Sequence, residues 1–219
     1  MVVKGVLAGV AAALVSMSAL ADVVTLTFEG VGDGANINNF YNGGKDSFGN
    51  SGTNYGVTFS SNAIGLKGTS TFLNEPSPST VMIFDAGTSA YFDYAKGFTT
   101  GFSFYYSSSV SASVSVYSEL DGKGTVLGVI TLPAQATGGP CNTALYCNWT
   151  PVGVAFTGTA KSIAFSGIYQ QTGFDNVTFG CASAIAGSCQ STSTPEPGSL
   201  ALVGLALAGL GVVGRKSKG

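Results

Sequence analysis

From Val110 to Tyr117 the chain alternates without interruption. Val110, Ala112, Val114 and Val116 share one parity, and Ser111, Ser113, Ser115 and Tyr117 share the other. A two-residue period sends apolar side chains to one face of a strand and hydroxyls to the opposite face. No stretch between the two apolar chain ends shows helical spacing, so this segment is the clearest sample of a chain built from strands.

The neighbouring segments extend that pattern. Val24, Leu26 and Phe28 alternate within Val23 to Glu29, and strand character returns at Val57-Thr58-Phe59 and around Ile64. Further strands are expected at Val81 to Phe84, Ala90 to Tyr94, a segment carrying Phe98, Phe102, Phe104 and Tyr106 on one parity, Thr125 to Leu132, Pro151 to Phe156, Ser162 to Phe165, and Phe174 to Phe179. Glu75-Pro76-Ser77-Pro78 and Leu120-Asp121-Gly122-Lys123-Gly124 supply turn chemistry between them. Roughly eight to ten short strands with frequent turns predict an all-β sandwich, specifically a jelly roll. Residues 30–55 break the rhythm with a Gly/Asn-rich run, and a loop of that length is expected to be functional, ion-bound or disordered.

Both ends lie outside this domain. At the N-terminus, Lys4, an apolar run from Val6 to Val15 and Ala19-Leu20-Ala21 make a secretory signal peptide over residues 1–21, with a mature start at Asp22. At the C-terminus, Pro195-Glu196-Pro197 precedes seventeen uncharged residues from Gly198 to Gly214, closed by Arg215, Lys216 and Lys218. At ~1.5 Å per residue a helix over 198–214 spans roughly 25 Å, near the lower limit for a ~30 Å hydrocarbon core. The basic tail, residues 215–219, stays on the cytoplasmic side. The expected organisation is a β-sandwich ectodomain over residues 22–181, a Ser/Thr-rich stalk over 182–194, and this terminal segment over 195–219.

A rigid Pro-Glu-Pro, a thin apolar helix and a basic end, in that order at the extreme terminus, resemble the PEP-CTERM sorting signal of Gram-negative bacteria. The resemblance implies an exosortase-type membrane transpeptidase that cuts near Pro195-Glu196-Pro197. It also implies export across the inner membrane, transient anchoring by the helix, then residence at the cell surface or release. An ordinary single-pass tail anchor is the alternative.

Composition excludes several classes of function. The ectodomain carries ten carboxylates against five lysines, a net charge of −5, with no arginine. Nucleic-acid affinity rests on phosphate neutralisation, so nucleic acid is not an expected partner. With no histidine anywhere in the chain, triads needing an imidazole base and His-ligated zinc hydrolases are excluded. A glycosidase running on two carboxylates survives as a reading, but the pairs nearest in sequence, Glu119 with Asp121 and Asp85 with Asp93, sit at turns or strand ends. The chain is therefore read as non-enzymatic. In an exported chain an even number of cysteines favours disulfides, expected as Cys141–Cys147 and Cys181–Cys189 because each pair brackets a short loop; a four-cysteine zinc site is the alternative.

Two ligand expectations remain. Asp175 shares sequence parity with Val177 and Phe179, which places it inward, and an inward carboxylate needs a cation or several hydrogen-bond donors. If the first and last strands are neighbours, Glu29 and Asp175 converge, and Asp33 would complete an oxygen shell suited to a structural Ca²⁺. Phe28-Glu29-Gly30 and Gly173-Phe174-Asp175-Asn176-Val177 resemble calcium-containing jelly-roll carbohydrate-binding modules, as Gly52-Thr53-Asn54-Tyr55-Gly56-Val57-Thr58-Phe59 resembles other PEP-CTERM ectodomains. Aromatic side chains that stack on sugar rings would be Trp149 and Tyr105 among the tyrosines, with Trp149 packed against the Cys141–Cys147 loop as the alternative. The resemblance implies an adhesive or structural role in extracellular polysaccharide, or a carbohydrate-binding module with a defined glycan.

Overall fold

The computed structural model describes residues 23–68, 71–136, 145–185 and 187–189. The signal peptide, Cys141, the sorting tripeptide, the 198–214 helix, the basic tail and residues 186 and 190–194 of the stalk lie outside the described residues.

Every regular element among the described residues is a strand: β1 (Val24–Leu26), β2 (Val57–Phe59), β3 (Ala63–Lys67), β4 (Thr80–Phe84), β5 (Ser89–Phe98), β6 (Gly101–Ser108), β7 (Ala112–Tyr117), β8 (Val126–Leu132), β9 (Thr150–Ala155), β10 (Ala160–Ser166) and β11 (Thr172–Phe179). One sheet runs β3-β4-β11-β6-β9 with β1 also on β11, and the other runs β2-β5-β10-β7-β8. Every pairing between these strands is antiparallel. Within this order β4-β11-β6-β9 opposes β5-β10-β7-β8, the strand order of a jelly roll.

The alternation at β7 works as its pattern predicts: Ala112, Val114 and Val116 are buried, while Ser113, Ser115 and Tyr117 are partly exposed. Phe98 needs a correction. It ends β5 rather than opening β6, because Gly97 takes a positive φ of 74° and the chain turns at Thr99-Thr100. Its ring still faces the core, 6.2 Å from Phe102 and 5.5 Å from Phe179. A second aromatic group joins the sheets where Phe165 and Phe174 meet at 4.7 Å, edge to face.

Residues 30–55 form an ordered cap on the sandwich. Val31, Ala35, Ile37, Phe40 and Tyr41 are all buried in the main core. Tight turns deliver these positions: Ala35 N donates to Gly32 O and Phe40 N to Ile37 O. Asp46 ties the cap together, accepting from Gly32 N, Phe48 N, Asn50 N and Asn50 Nδ2 at 2.8–2.9 Å. Burial pushes this carboxyl up, but the four donors outweigh it and hold the group below the usual carboxylate range.

β6 runs along one edge of β11, so β1 and β4 share the other. β1 pairs at Val177 to Phe179 and β4 at Phe174. They leave a junction beside Asp175 and Asn176, and the candidate site begins there.

Candidate functional site

At that junction β11 holds one residue more than its partner. Asp175 pairs with Tyr105 and Thr178 with Ser103, a register shift made by Asn176 at φ 49°. This bulge inverts the parity read from the sequence. Phe174, Val177 and Phe179 face the main core, while Asp175 takes the face of Tyr105, on the outer side of the sheet. It is nonetheless fully buried, because the segment before β4 folds over it.

Asp175 holds that segment by hydrogen bonds. Ser77 N donates to Oδ2 at 2.8 Å, and Ser77 Oγ and Asn176 N each donate to Oδ1 at 2.7 Å. Thr80 N donates to Glu29 Oε1 at 2.8 Å. Glu29, just past β1, and Asp175 in β11 thus clamp Ser77 and Thr80 between them. Burial raises the Asp175 pKa to about 6; the Ser77 and Asn176 donors pull it back down, and the Glu29 charge adds to the rise.

Glu29 and Asp175 converge as expected, but Asp33 does not join them. Its Oδ1 accepts from Lys67 N at 2.9 Å, at the end of β3. Among the described residues no group of three or more Asp, Glu, Cys or His side chains is placed to hold a metal. The Asp175 oxygens face N–H and O–H donors, where an ion needs oxygen lone pairs. This donor set is that of a hydrogen-bonded clamp and does not fit a calcium shell of six to eight oxygens.

The predicted aromatic contacts lie elsewhere. On the outer face of the same sheet Phe72 stacks on Tyr146 at 5.0 Å, with Trp149 at 6.0 Å. The indole Nε1 donates to Leu73 O at 3.0 Å. Gly173 lies beneath: a Cβ there would be 2.6 Å from Phe72 Cε1 and 3.2 Å from Trp149 Cη2. Trp149 is therefore a packing residue of a second, smaller apolar cluster with Ile64, Val81, Ile83 and Ala136. Tyr105 is half-buried between Asp175 and Pro151 in register. Cys181 and Cys189 form a disulfide. Cys147 is disulfide-bonded as well, and Cys141 lies outside the described residues.

A cleft that sequence reasoning missed opens at one end of the sandwich, with a volume of about 270 Å³. Its walls include Asn54, Tyr55, Tyr94 and Lys96, over a floor of Phe98 and Phe179. The Tyr94 ring sits 5.0 Å from that of Phe179, and Tyr55 lies 6.1 Å from the buried Tyr41. Tyr41 backs this wall: its hydroxyl accepts from Phe28 N at 2.8 Å, and burial pushes its phenol well up. Tyr55 belongs to a motif quoted above, whereas Tyr94 and Lys96 carried no signal in the sequence, because only the folded end of β5 brings them beside residues 54–55.

No carboxylate lines this cleft. The closely linked carboxylates are elsewhere, where Asp121 N donates to Asp93 Oδ1 at 2.8 Å across the outer face of the other sheet. Burial raises Asp93, the Asp121 amide opposes that rise, and the Asp121 charge adds to it. Asp85 and Asp93, set aside above as turn or strand-end residues, belong to different sheets: Asp85 follows β4 in one and Asp93 lies in β5 of the other.

Comparison with known proteins identifies residues 193–216 as a PEP-CTERM protein-sorting motif. No curated protein matches the chain. Among solved structures, a family 6 carbohydrate-binding module is 20% identical with a TM-score of 0.37, over 56% of this chain and 85% of that one. The Clostridium stercorarium module CsCBM6-3, in complex with cellobiose, is 16% identical with a TM-score of 0.35, over 55% and 82%. A family 29 carbohydrate-binding module is 10% identical with a TM-score of 0.39, over 73% and 91%. These likenesses are too distant to carry an argument about function.

Proposed function

We propose that the chain is an exported, surface-sorted, non-enzymatic protein whose jelly-roll ectodomain serves an adhesive or structural role in extracellular polysaccharide. The PEP-CTERM motif at residues 193–216 carries this reading, since it dispatches whatever precedes it to the cell exterior. An exosortase-type transpeptidase is the partner that would remove the tail near Pro195-Glu196-Pro197, leaving Arg215, Lys216 and Lys218 behind.

The ectodomain suits such a post. Its outer-face apolar cluster and its cap are both tied down by hydrogen bonds, and the hollow at Glu119, Asp121, Lys123 and Lys161, which mixes both charges, lies between an exposed turn and β10. A glycosidase needs two carboxylates flanking the scissile bond, and the tyrosine-walled cleft has none. Co-sedimentation tests the role. Protein recovered from producing cells should pellet with their isolated polysaccharide and leave that polysaccharide's chain length unchanged. Release of reducing ends, or failure to pellet, would refute it.

A further inference from the structure

The tyrosine-walled cleft holds a free cation in an otherwise acidic domain. Lys96 is exposed, and the one ion pair among the described residues joins Lys123 to Asp121. Its ammonium therefore has no carboxylate partner there, and no Asp or Glu lines the cleft to supply one. Asn54 Oδ1 accepts from Gly56 N at 3.0 Å, while its amide nitrogen has no hydrogen-bond acceptor among the described residues. Two tyrosine rings stand beside these groups. Tyr94 is fixed from behind by Phe179, and Gly56 approaches its edge, where a Cβ would be 3.5 Å from Cε2.

A hard cation, amide donors and aromatic faces over an apolar floor match one ligand chemistry: a sugar ring that bears a carboxylate. Aromatic faces take the C–H side of a pyranose, polar neighbours take its hydroxyls, and a lysine ammonium pairs with a carboxylate. A neutral sugar would leave Lys96 without a function, and an apolar ligand would strand both Lys96 and Asn54. The volume of about 270 Å³ lies just below the range of drug-sized ligand pockets, ~300–1,000 Å³, which suits one sugar unit.

We propose that this cleft binds a single hexuronate unit of an acidic polysaccharide, its carboxylate on Lys96 and its ring against Tyr55 and Tyr94. The inference rests on the matrix reading above and names its ligand class. The domain's net charge of −5 repels a polyanion in general, so recognition of one needs a local cation, which Lys96 supplies in this cleft.

The test uses the full chain in mild detergent at fixed ionic strength, titrated calorimetrically with trisaccharides of galacturonate, glucuronate and mannuronate. Each is measured beside its carboxyl-reduced, neutral counterpart. At least one uronate should bind about tenfold or more tighter than its neutral partner, the order of one charge-assisted hydrogen bond. Lys96→Gln should erase that preference, bringing the affinity for the uronate down to that for its neutral counterpart. Tyr55→Ala should weaken both, and an unchanged thermal midpoint for each variant shows that folding is intact. Equal affinity for acidic and neutral sugars, a preference that survives Lys96→Gln, or no binding to any trisaccharide overturns the proposal. Co-sedimentation with native polysaccharide separates the two readings: if it persists in those cases, the hexuronate site falls and the matrix role stands.

Discussion

Replacing Asp175 with Asn probes the clamp, and the structure sets the size of the response. Asn keeps one carbonyl acceptor but puts an amide NH₂ where the second carboxylate oxygen accepts, so one donor among Ser77 N, Ser77 Oγ and Asn176 N loses its partner. An unsatisfied buried donor costs about 1–3 kcal/mol. Against this, Asn carries no charge to bury. The Asp175 pKa rises from 3.8 to about 6 on folding, so the native state holds its proton more tightly than the unfolded chain. Its contribution therefore favours folding at acid pH and is lost as pH rises through that window. The loss amounts to about 3 kcal/mol at neutrality, at ~1.4 kcal/mol per unit. Near pH 4 wild-type Asp175 is itself protonated and has also given up one acceptor, so Asp175→Asn should be less stable by only about 1 kcal/mol there. Near pH 7 it should be equal or more stable, because the relief of charge burial, about 3 kcal/mol, covers the lost acceptor. Urea unfolding of both proteins at several pH values measures the difference. A deficit that stays flat across the window, or grows as pH rises, would refute the assignment of Asp175 as a buried carboxylate held only by protein donors.

Three further outcomes follow from the same contacts. Calcium and a chelator should give the same thermal midpoint, because amide and hydroxyl donors occupy the Asp175 oxygens; a calcium-dependent rise in a melting curve would show that an ion belongs in the clamp. Asp46→Ala removes an acceptor from four donors and should cost about 2–4 kcal/mol. Limited proteolysis should then cut first within residues 30–55, and in the wild type this protection should fade as acid protonates Asp46. Gly173→Ala places a methyl 2.6 Å from Phe72 and should destabilise by about 1–3 kcal/mol with a shift in the fluorescence of Trp149, the only tryptophan; an unshifted spectrum would place Trp149 away from that contact.

The fold was legible wherever one face of a strand is buried and the other wet. β7 shows it best, and β2 falls at Val57–Phe59 as its composition suggests. Legibility failed where a single residue changes the geometry. One extra residue at Asn176 carried Asp175 to the opposite face, and parity counting cannot detect a bulge. The order of the cap was not legible for a different reason: Val31, Ile37 and Phe40 reach the core from turns rather than from a strand or a helix. Trp149 was open between a sugar contact and packing against the cysteine loop, and its ring packs with Phe72 over Gly173. The cleft was invisible because Tyr55 and Tyr94 come from different strands and loops, and Lys96 gains meaning only from its lack of a carboxylate neighbour. The sorting signal needs no folding to be read, since its three parts are contiguous.

Intact-mass spectrometry of protein recovered from outside producing cells tests the central claim most directly. A chain that begins at Asp22 and ends near Pro195-Glu196-Pro197 is the predicted result. A chain that still carries Arg215 would contradict it.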